Sequence, residues 1–371
     1  MKVLILSCNT GGGHNSAAEA MREYFNEVGV SCEIRDALAF KSERKSKLIS
    51  KGHVFVYKNA PRLFGAGYHF MEQHPPKKGQ PSVMYELIKS GTENLYEYVR
   101  EQSFDLILST HLFGSIIVTE MKRQFGIAVP SYLITTDYAC YPGIEEVEVD
   151  RIFIAHESLI PEHEACGIAR ERLVPTGIPV KASFYTRSEN AKCALGIDEH
   201  QRMILMMCGS MGCGPLPMLA EQIVGRLPED GLLAVICGSN RKLYDRFLHE
   251  LPADRVRVIG YTDLVSLYMD AADVIITKPG GLSATEAACK GVPMVLIDAV
   301  PGCETKNMDF FTKNGLAVTA DTVEGLVDHT ISLLGDATRR ARMMHAQRAL
   351  LSHRAAKMIY ESILSEVQYV G

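Results

Sequence analysis

No apolar run in this chain reaches the ~18 residues that a membrane span needs. The N-terminus carries a short apolar burst, Met1 to Cys8, that passes straight into NTGGGHNS. It lacks the length and the cleavage site of a secretory leader, so a cytoplasmic location is expected. The ten cysteines include no CxxC pair, which argues against both a disulfide framework and a zinc site. HESLIPEH at 156–163 misses the HExxH spacing because Ile160 stands where the second histidine is required, and no metal is expected. Positive charge is not in excess either. The net charge is −5, which speaks against a general nucleic-acid binder.

What is present is ordinary globular material: 371 residues, 47% apolar and 22% charged, enough for two domains. Two series of strands alternate with helices. KVLILSC (2–8), SCEIRDAL (31–38), FDLILSTH (104–111), PSYLITTD (130–137) and DRIFIAH (150–156) make the first. RMILMMCGS (202–210), LLAVICGS (232–239), VRVIGYT (256–262), DVIITKPGG (273–281) and PMVLIDA (293–299) make the second. Helices are expected over 17–28, 82–100, 114–125, 216–227 and 282–290. The pattern predicts an α/β protein with two doubly wound parallel sheets. Residues 1–175 form one domain, 176–190 a linker inside the aperiodic stretch 175–190 with its two prolines, and 191–345 the other. A C-terminal helix over 346–371 is expected to pack back on the first domain. Ligands in such sheets sit at the C-terminal ends of the strands, so a cleft between two such rows is expected.

Two glycine-rich turns stand at such ends. GGGHNS (11–16) lacks the third glycine of a dinucleotide fingerprint, because Ser16 occupies that position, and it lacks the Lys-Ser/Thr of a phosphate loop. Gly12 and Gly13 allow close approach of a ligand to the backbone. His14 follows at a helix start, where a positive helix end favours a neutral imidazole able to accept a proton. A plain capping role fits it as well. KPGGLSATEA places Gly280, Gly281, Leu282 and Ser283 at the opening of another helix, whose free N–H groups suit a diphosphate. Glu286 lies one turn inside. CGSMGCG (208–214) offers Gly209, Ser210 and Met211 as a second such turn.

A basic island interrupts this acidic protein. Residues 41–62 hold Lys41, Arg44, Lys45, Lys47, Lys51, Lys58 and Arg62 against Glu43 alone. On a helix, Leu48, Ile49, Gly52, Phe55 and Val56 fall on one face beside Arg44, Lys47, Lys51 and Lys58, a pattern suited to anionic lipid. NAPRLFGAGYHF (59–70), including Phe64, follows as an expected loop with exposed aromatics.

MKVLILSCNTGGGHNSAAEAM, ISKGHVFVYKNAPRLFG (49–65) and KPGGLSATEAACKGVPMVLIDAVPGCETKN (278–307) together resemble the monogalactosyldiacylglycerol synthase and processive diacylglycerol glucosyltransferase family. They also resemble the wider group that includes the enzyme making lipid II from UDP-GlcNAc. The resemblance covers residues 1 to about 320. It implies a GT-B fold of two Rossmann-like domains. It implies inverting transfer of a hexose from a UDP-sugar to diacylglycerol at the inner membrane face, with no catalytic metal and no cofactor beyond that co-substrate. The N-terminal domain would take the acceptor and the membrane through Gly12, Gly13, Lys47, Lys51, Phe55, Lys58 and Phe64. His14 would be the base, with Asp137 orienting it or acting as base itself and His111 a cleft neighbour. Glu286 would hold the ribose, the backbone near Tyr261 the uracil, and Glu304 the sugar, with Asn307 in the same motif. The family has PGQE where this chain has PGCE, so Cys303 replaces a glutamine that contacts the sugar; a thiol is a weak hydrogen-bond partner. Transfer to another lipid or polyprenyl carrier, or a non-catalytic nucleotide-sugar-binding subunit, are the alternatives.

Overall fold

Unbroken Val, Leu and Ile runs build strands covered on both faces, as parallel sheets require. The computed structural model describes residues 1–9, 11–40, 52, 60–74, 81–207, 215–297, 299–351 and 353–370. Among them, twelve strands form two parallel six-stranded sheets. The first contains β1 (Lys2–Ser7), β2 (Ser31–Asp36), β3 (Leu106–Ser109), β4 (Ser131–Ile134), β5 (Arg151–Ile154) and β6 (Leu173–Pro175), in the order β2-β1-β3-β4-β5-β6. The second contains β7 (Arg202–Met207), β8 (Gly231–Ile236), β9 (Val256–Ile259), β10 (Val274–Thr277), β11 (Met294–Leu296) and β12 (Ala317–Val318), in the order β12-β11-β10-β7-β8-β9.

Each sheet has one switch point, where the chain leaves a central strand to one side and later resumes on the other. In the first sheet it lies between β1 and β3, and in the second between β7 and β10. Crevices open at the C-terminal ends of such strand pairs. GGGHNS opens at Gly11, a few residues after β1 ends at Ser7, and KPGG follows β10 directly.

The first compact unit comprises Met1–Ala182, Val300–Cys303 and His353–Gly371; the second comprises Ser183–Ala299 and Glu304–Ser352. The division at 345/346 expected from sequence falls inside the helix Ala337–Leu351. The helices used below are α1 (Gly12–Glu27), α2 (Pro61–Gln73), α3 (Leu112–Phe125), α4 (Gly281–Lys290), α5 (Cys303–Lys313) and α6 (Ala355–Val370). In the first unit, α1 contributes Ala18, Met21 and Phe25 to a core with Val3, Leu108 and Ile134, and α6 adds Ala356, Ile359 and Ile363. Arg354, just before α6, pairs with Glu27 and lies 4.8 Å over the Tyr24 ring.

Two expectations are corrected here. The 82–100 helix is broken into Val83–Ile88 and Thr92–Gln102 by a 3₁₀ turn, Lys89–Gly91, with Thr92 Oγ1 bonding the Lys89 carbonyl. Of the segment expected as a loop over 59–70, residues 61–70 instead lie in α2. Pro61 takes the first helical position, where its missing N–H costs nothing, and Tyr68 is buried rather than exposed.

Gly65 of α2 and Gly302 have a packing reason. A Cβ on Gly65 would stand 2.4 Å from Pro301 Cβ, and one on Gly302, whose φ is +119°, would meet the Tyr68 ring at 3.1 Å. We expect Gly65→Ala to force α2 off the 301–302 turn. Overpacking of this kind costs ~1–3 kcal/mol, or roughly 2–4 °C in melting midpoint per kcal/mol for a unit of this size. An unchanged midpoint by calorimetry would show that the contact yields freely.

Candidate active site

The first centre gathers the chain leaving three adjacent strands, β1, β3 and β4. Ser7 Oγ at the end of β1 donates to Asn15 Oδ1 at 2.5 Å, and Asn15 Nδ2 donates to Asn9 Oδ1 at 2.8 Å, which folds the glycine turn back on the strand. Asn9 Nδ2 donates in turn to Asp36 Oδ2 at 2.9 Å, and Asp36 Oδ1 accepts from Leu38 N at 3.1 Å. Asp36 is thus engaged in shaping its own turn.

His14 lies in the first turn of α1 and its Nδ1 is 2.9 Å from the Thr110 carbonyl oxygen. A carbonyl only accepts, so Nδ1 carries the proton and Nε2 the lone pair. The Thr110 hydroxyl donates to the His14 carbonyl at 3.0 Å, which locks the helix start to the end of β3 from both sides. Burial pushes the imidazole down to about 4, although the Thr110 carbonyl pulls it upward. The neutral base form therefore prevails at neutral pH. His111 caps α3, its Nδ1 accepting from Phe113 N at 3.0 Å, and its ring meets that of His14 edge-on at 4.4 Å.

Thr136 and Tyr141, which sequence reasoning missed, complete this centre. Thr136 Oγ1 lies 2.9 Å from His14 Nδ1 and 3.2 Å from Tyr141 Oη. Thr136 N donates to Tyr141 Oη at 2.8 Å, and Tyr141 Oη donates to Asp137 Oδ2 at 3.0 Å. A Cβ on Gly11 or Gly12 would meet nothing within 4 Å, so these two glycines leave open space in the turn before His14. Gly13 lies in α1 between Gly12 and His14.

The second centre belongs to the second unit. Gly280 precedes α4 with an ordinary extended backbone, and a Cβ there would also meet nothing within 4 Å. The first bond of α4 runs from Ala284 N to the Gly280 carbonyl at 3.0 Å. The N–H groups of Gly281, Leu282 and Ser283 therefore have no intrahelical acceptor, and the cap residue, Gly280, has no side chain to bond them. Ser283 and Glu286 are half-buried and three residues apart on one face, while Leu282 is buried. Asn307, fully buried on α5, donates Nδ2 to the Pro279 carbonyl at 2.9 Å and so shapes the turn. Glu304 Oε2 is 3.5 Å from the Nζ of buried Lys278, the residue that opens the KPGG motif. Tyr261 follows β9 with 78% of its surface exposed. Among the described residues, no group of three His, Cys, Asp or Glu side chains is gathered to hold a metal ion.

Cys303, which falls in the first unit, lies 3.2 Å through its Sγ from Tyr68 Oη on α2; that hydroxyl is 3.5 Å from the Cys140 carbonyl. Burial and the neighbouring thiol raise the Tyr68 phenol, so it stays protonated. Gly209, Ser210, Met211, Lys47, Lys51, Phe55 and Lys58 lie outside the described residues, and Phe64 is placed only as a residue of α2.

Residues 14–180 match the family model of monogalactosyldiacylglycerol (MGDG) synthase, a match that opens on His14. Residues 219–349 match that of glycosyl transferases group 1. A protein of Bacillus mycoides named processive diacylglycerol beta-glucosyltransferase is 29% identical, with 98% of this chain and 94% of that protein covered. The MurG structure of Acinetobacter baumannii superposes with a TM-score of 0.61 at 15% identity, covering 98% of this chain and 99% of that one. An Anabaena protein, HepE, solved in complex with UDP-glucose, superposes with a TM-score of 0.59 at 12% identity, covering 98% of this chain and 100% of that one. Two parallel sheets, each with its glycine turn at the switch point, and neighbours of this kind identify the fold as GT-B. The resemblance to the monogalactosyldiacylglycerol synthase and processive diacylglycerol glucosyltransferase family thus holds over nearly the whole chain.

Proposed function

We propose that the protein transfers a hexose from a UDP-sugar to the free hydroxyl of diacylglycerol, with inversion, at the cytosolic face of a membrane. His14 Nε2 takes the acceptor proton as the hydroxyl oxygen bonds to the anomeric carbon. The bond from that carbon to the diphosphate breaks, and UDP leaves with the electron pair. The amides that open α4 stabilise the charge that collects on the departing diphosphate, which is the contribution fixed donors make best. Glu286 accepts from the ribose hydroxyls, and Glu304 meets the sugar. Neither a metal nor a cofactor beyond the UDP-sugar takes part in this scheme.

The single observation that carries the reading is the contact between His14 Nδ1 and the Thr110 carbonyl, which leaves Nε2 as a neutral proton acceptor. The relative's named activity favours glucose, because inversion of an α-linked UDP-glucose yields the β-glucoside. Membrane attachment is supported by two features. Leu63 and Phe70 on α2 are 66% and 62% exposed, and the basic stretch 41–62 immediately precedes them in sequence. Among the described residues no helix is long and apolar enough to cross a membrane.

The test is a thin-layer assay. The protein is incubated with diacylglycerol in anionic or in zwitterionic vesicles, with UDP-glucose, UDP-galactose or UDP-GlcNAc, in the presence of EDTA. We expect a new glycolipid from UDP-glucose, formed faster on anionic vesicles and unaffected by the chelator. Product from another donor would change the sugar. Product lost only with EDTA would refute metal independence. Equal rates on both vesicles would remove the electrostatic membrane contact. UDP binding with no product from any donor would move the acceptor away from diacylglycerol and favour a non-catalytic role.

A further inference from the structure

We infer that Thr136 and Tyr141 are positioning residues that, with Asp137, hold His14 in the tautomer required of a base; this rests on the reading of His14 as the base. The direction of every bond in the set follows from its two ends. At one end, the Thr110 carbonyl 2.9 Å from His14 Nδ1 has no proton to give, so Nδ1 donates. At the other end, the Asp137 carboxylate accepts from Tyr141 Oη at 3.0 Å. The Tyr141 phenol is raised well above its ordinary range by burial and by the Asp137 charge, so it retains its proton for that bond.

Between these ends stands one hydroxyl. Thr136 Oγ1, 2.9 Å from Nδ1, shares that N–H with the Thr110 carbonyl in a three-centre bond and so accepts. Its own proton is then directed to Tyr141 Oη at 3.2 Å, whose lone pairs also receive the Thr136 backbone N–H at 2.8 Å. Thr136 is 3% exposed, so water competes poorly for these bonds. The opposite tautomer would set a lone pair of Nδ1 against the Thr110 carbonyl. It would also need the Thr136 proton, which would break the bond to Tyr141. Each link therefore favours the same state, and the set acts as a unit.

The consequence for turnover is electrostatic. When Nε2 gains the acceptor proton, the ring becomes an imidazolium whose Nδ1–H already points down a chain of aligned dipoles ending in a carboxylate. No proton has to travel along that chain. The alignment stabilises the positive charge as it forms and keeps the ring oriented before it forms.

The test uses Tyr141→Phe, Thr136→Val and Thr136→Ser in the full-length protein, with three readouts. Ring ¹⁵N shifts of His14, assigned by comparison with His14→Ala, report the tautomer. Steady-state kinetics with UDP-glucose and diacylglycerol vesicles separate kcat from KM. Melting midpoints report folding. We expect wild type and Thr136→Ser to show a protonated Nδ1. Tyr141→Phe and Thr136→Val should show mixed tautomers and a kcat lowered roughly tenfold to a hundredfold, the range found when partners behind a functional histidine are removed. KM for the donor should stay within about twofold, since neither residue is placed in the donor centre. If Tyr141→Phe does not fold, the Thr136 pair carries the test. A wild-type tautomer and kcat in Thr136→Val and Tyr141→Phe, with His14→Ala inactive, would overturn this inference and leave the base assignment standing. An active His14→Ala would overturn both.

Discussion

His14→Ala lowers kcat by ~10²–10⁴, the contribution of a positioned general base, and leaves UDP affinity within about twofold. His14 and the α4 turn belong to different compact units, and each is anchored by bonds inside its own unit. Initial rates and calorimetric titration with UDP check the two halves of this expectation. Loss of UDP binding together with turnover would remove His14 from the role of base. The pH profile carries the same signature. Because burial sets the imidazole at about 4, the acid limb of kcat/KM in the free enzyme falls near pH 4, not near the ordinary 6.5. The group is neutral above that limb. Stability follows the same sign. The unfolded chain protonates His14 first as pH falls below 6.5, so the stability present above that value is lost progressively toward pH 4.

Glu286→Ala weakens UDP binding by roughly tenfold to a hundredfold. The basis is the ~1.5–3 kcal/mol carried by hydrogen bonds to a charged group, at tenfold per 1.4 kcal/mol. The melting midpoint should move little, because Glu286 is half-buried on a helix held by the buried residues Leu282, Ala284, Ala287 and Ala288. Comparing UDP with its 2′-deoxy counterpart sharpens the test. Wild type should discriminate between them, and Glu286→Ala should not. Equal affinities of wild type and variant for UDP would take Glu286 out of the donor centre.

Most of the scaffold for these effects is legible in the sequence because parallel strands announce themselves. KVLILS, RMILMM and GLLAVI are apolar runs flanked by turn residues, and all three are central or near-central strands. The two strands that went unread, Leu173–Pro175 and Ala317–Val318, are sheet edges of three and two residues, too short to show a run. The error over 59–70 has a different origin. Gly65 and Gly67 read as loop signals, yet Gly65 is small because Pro301, over two hundred residues away, presses against it. The glycine turns and His14 were legible because a turn and the helix it opens are local. Thr136 and Tyr141 were not, since their meaning depends on β1, β3 and β4 ending side by side. The cysteine at 303 could be read as a departure from the family pattern. That its thiol would meet the Tyr68 hydroxyl could not.

The return of α6 to the first sheet sets an order of events during synthesis. Ala356, Ile359 and Ile363 are part of the core built on β1, β3 and β4, so that core stays incomplete until the last helix has been made. The second unit, by contrast, draws all its residues from the span Ser183–Ser352 and needs nothing from α6. Domains made first ordinarily fold first; here the half that begins the chain is finished last. Until then, α1 bearing His14 packs on a sheet that still exposes the apolar surface α6 will cover, and a chain stalled before residue 355 would carry a complete second unit and an incomplete first one.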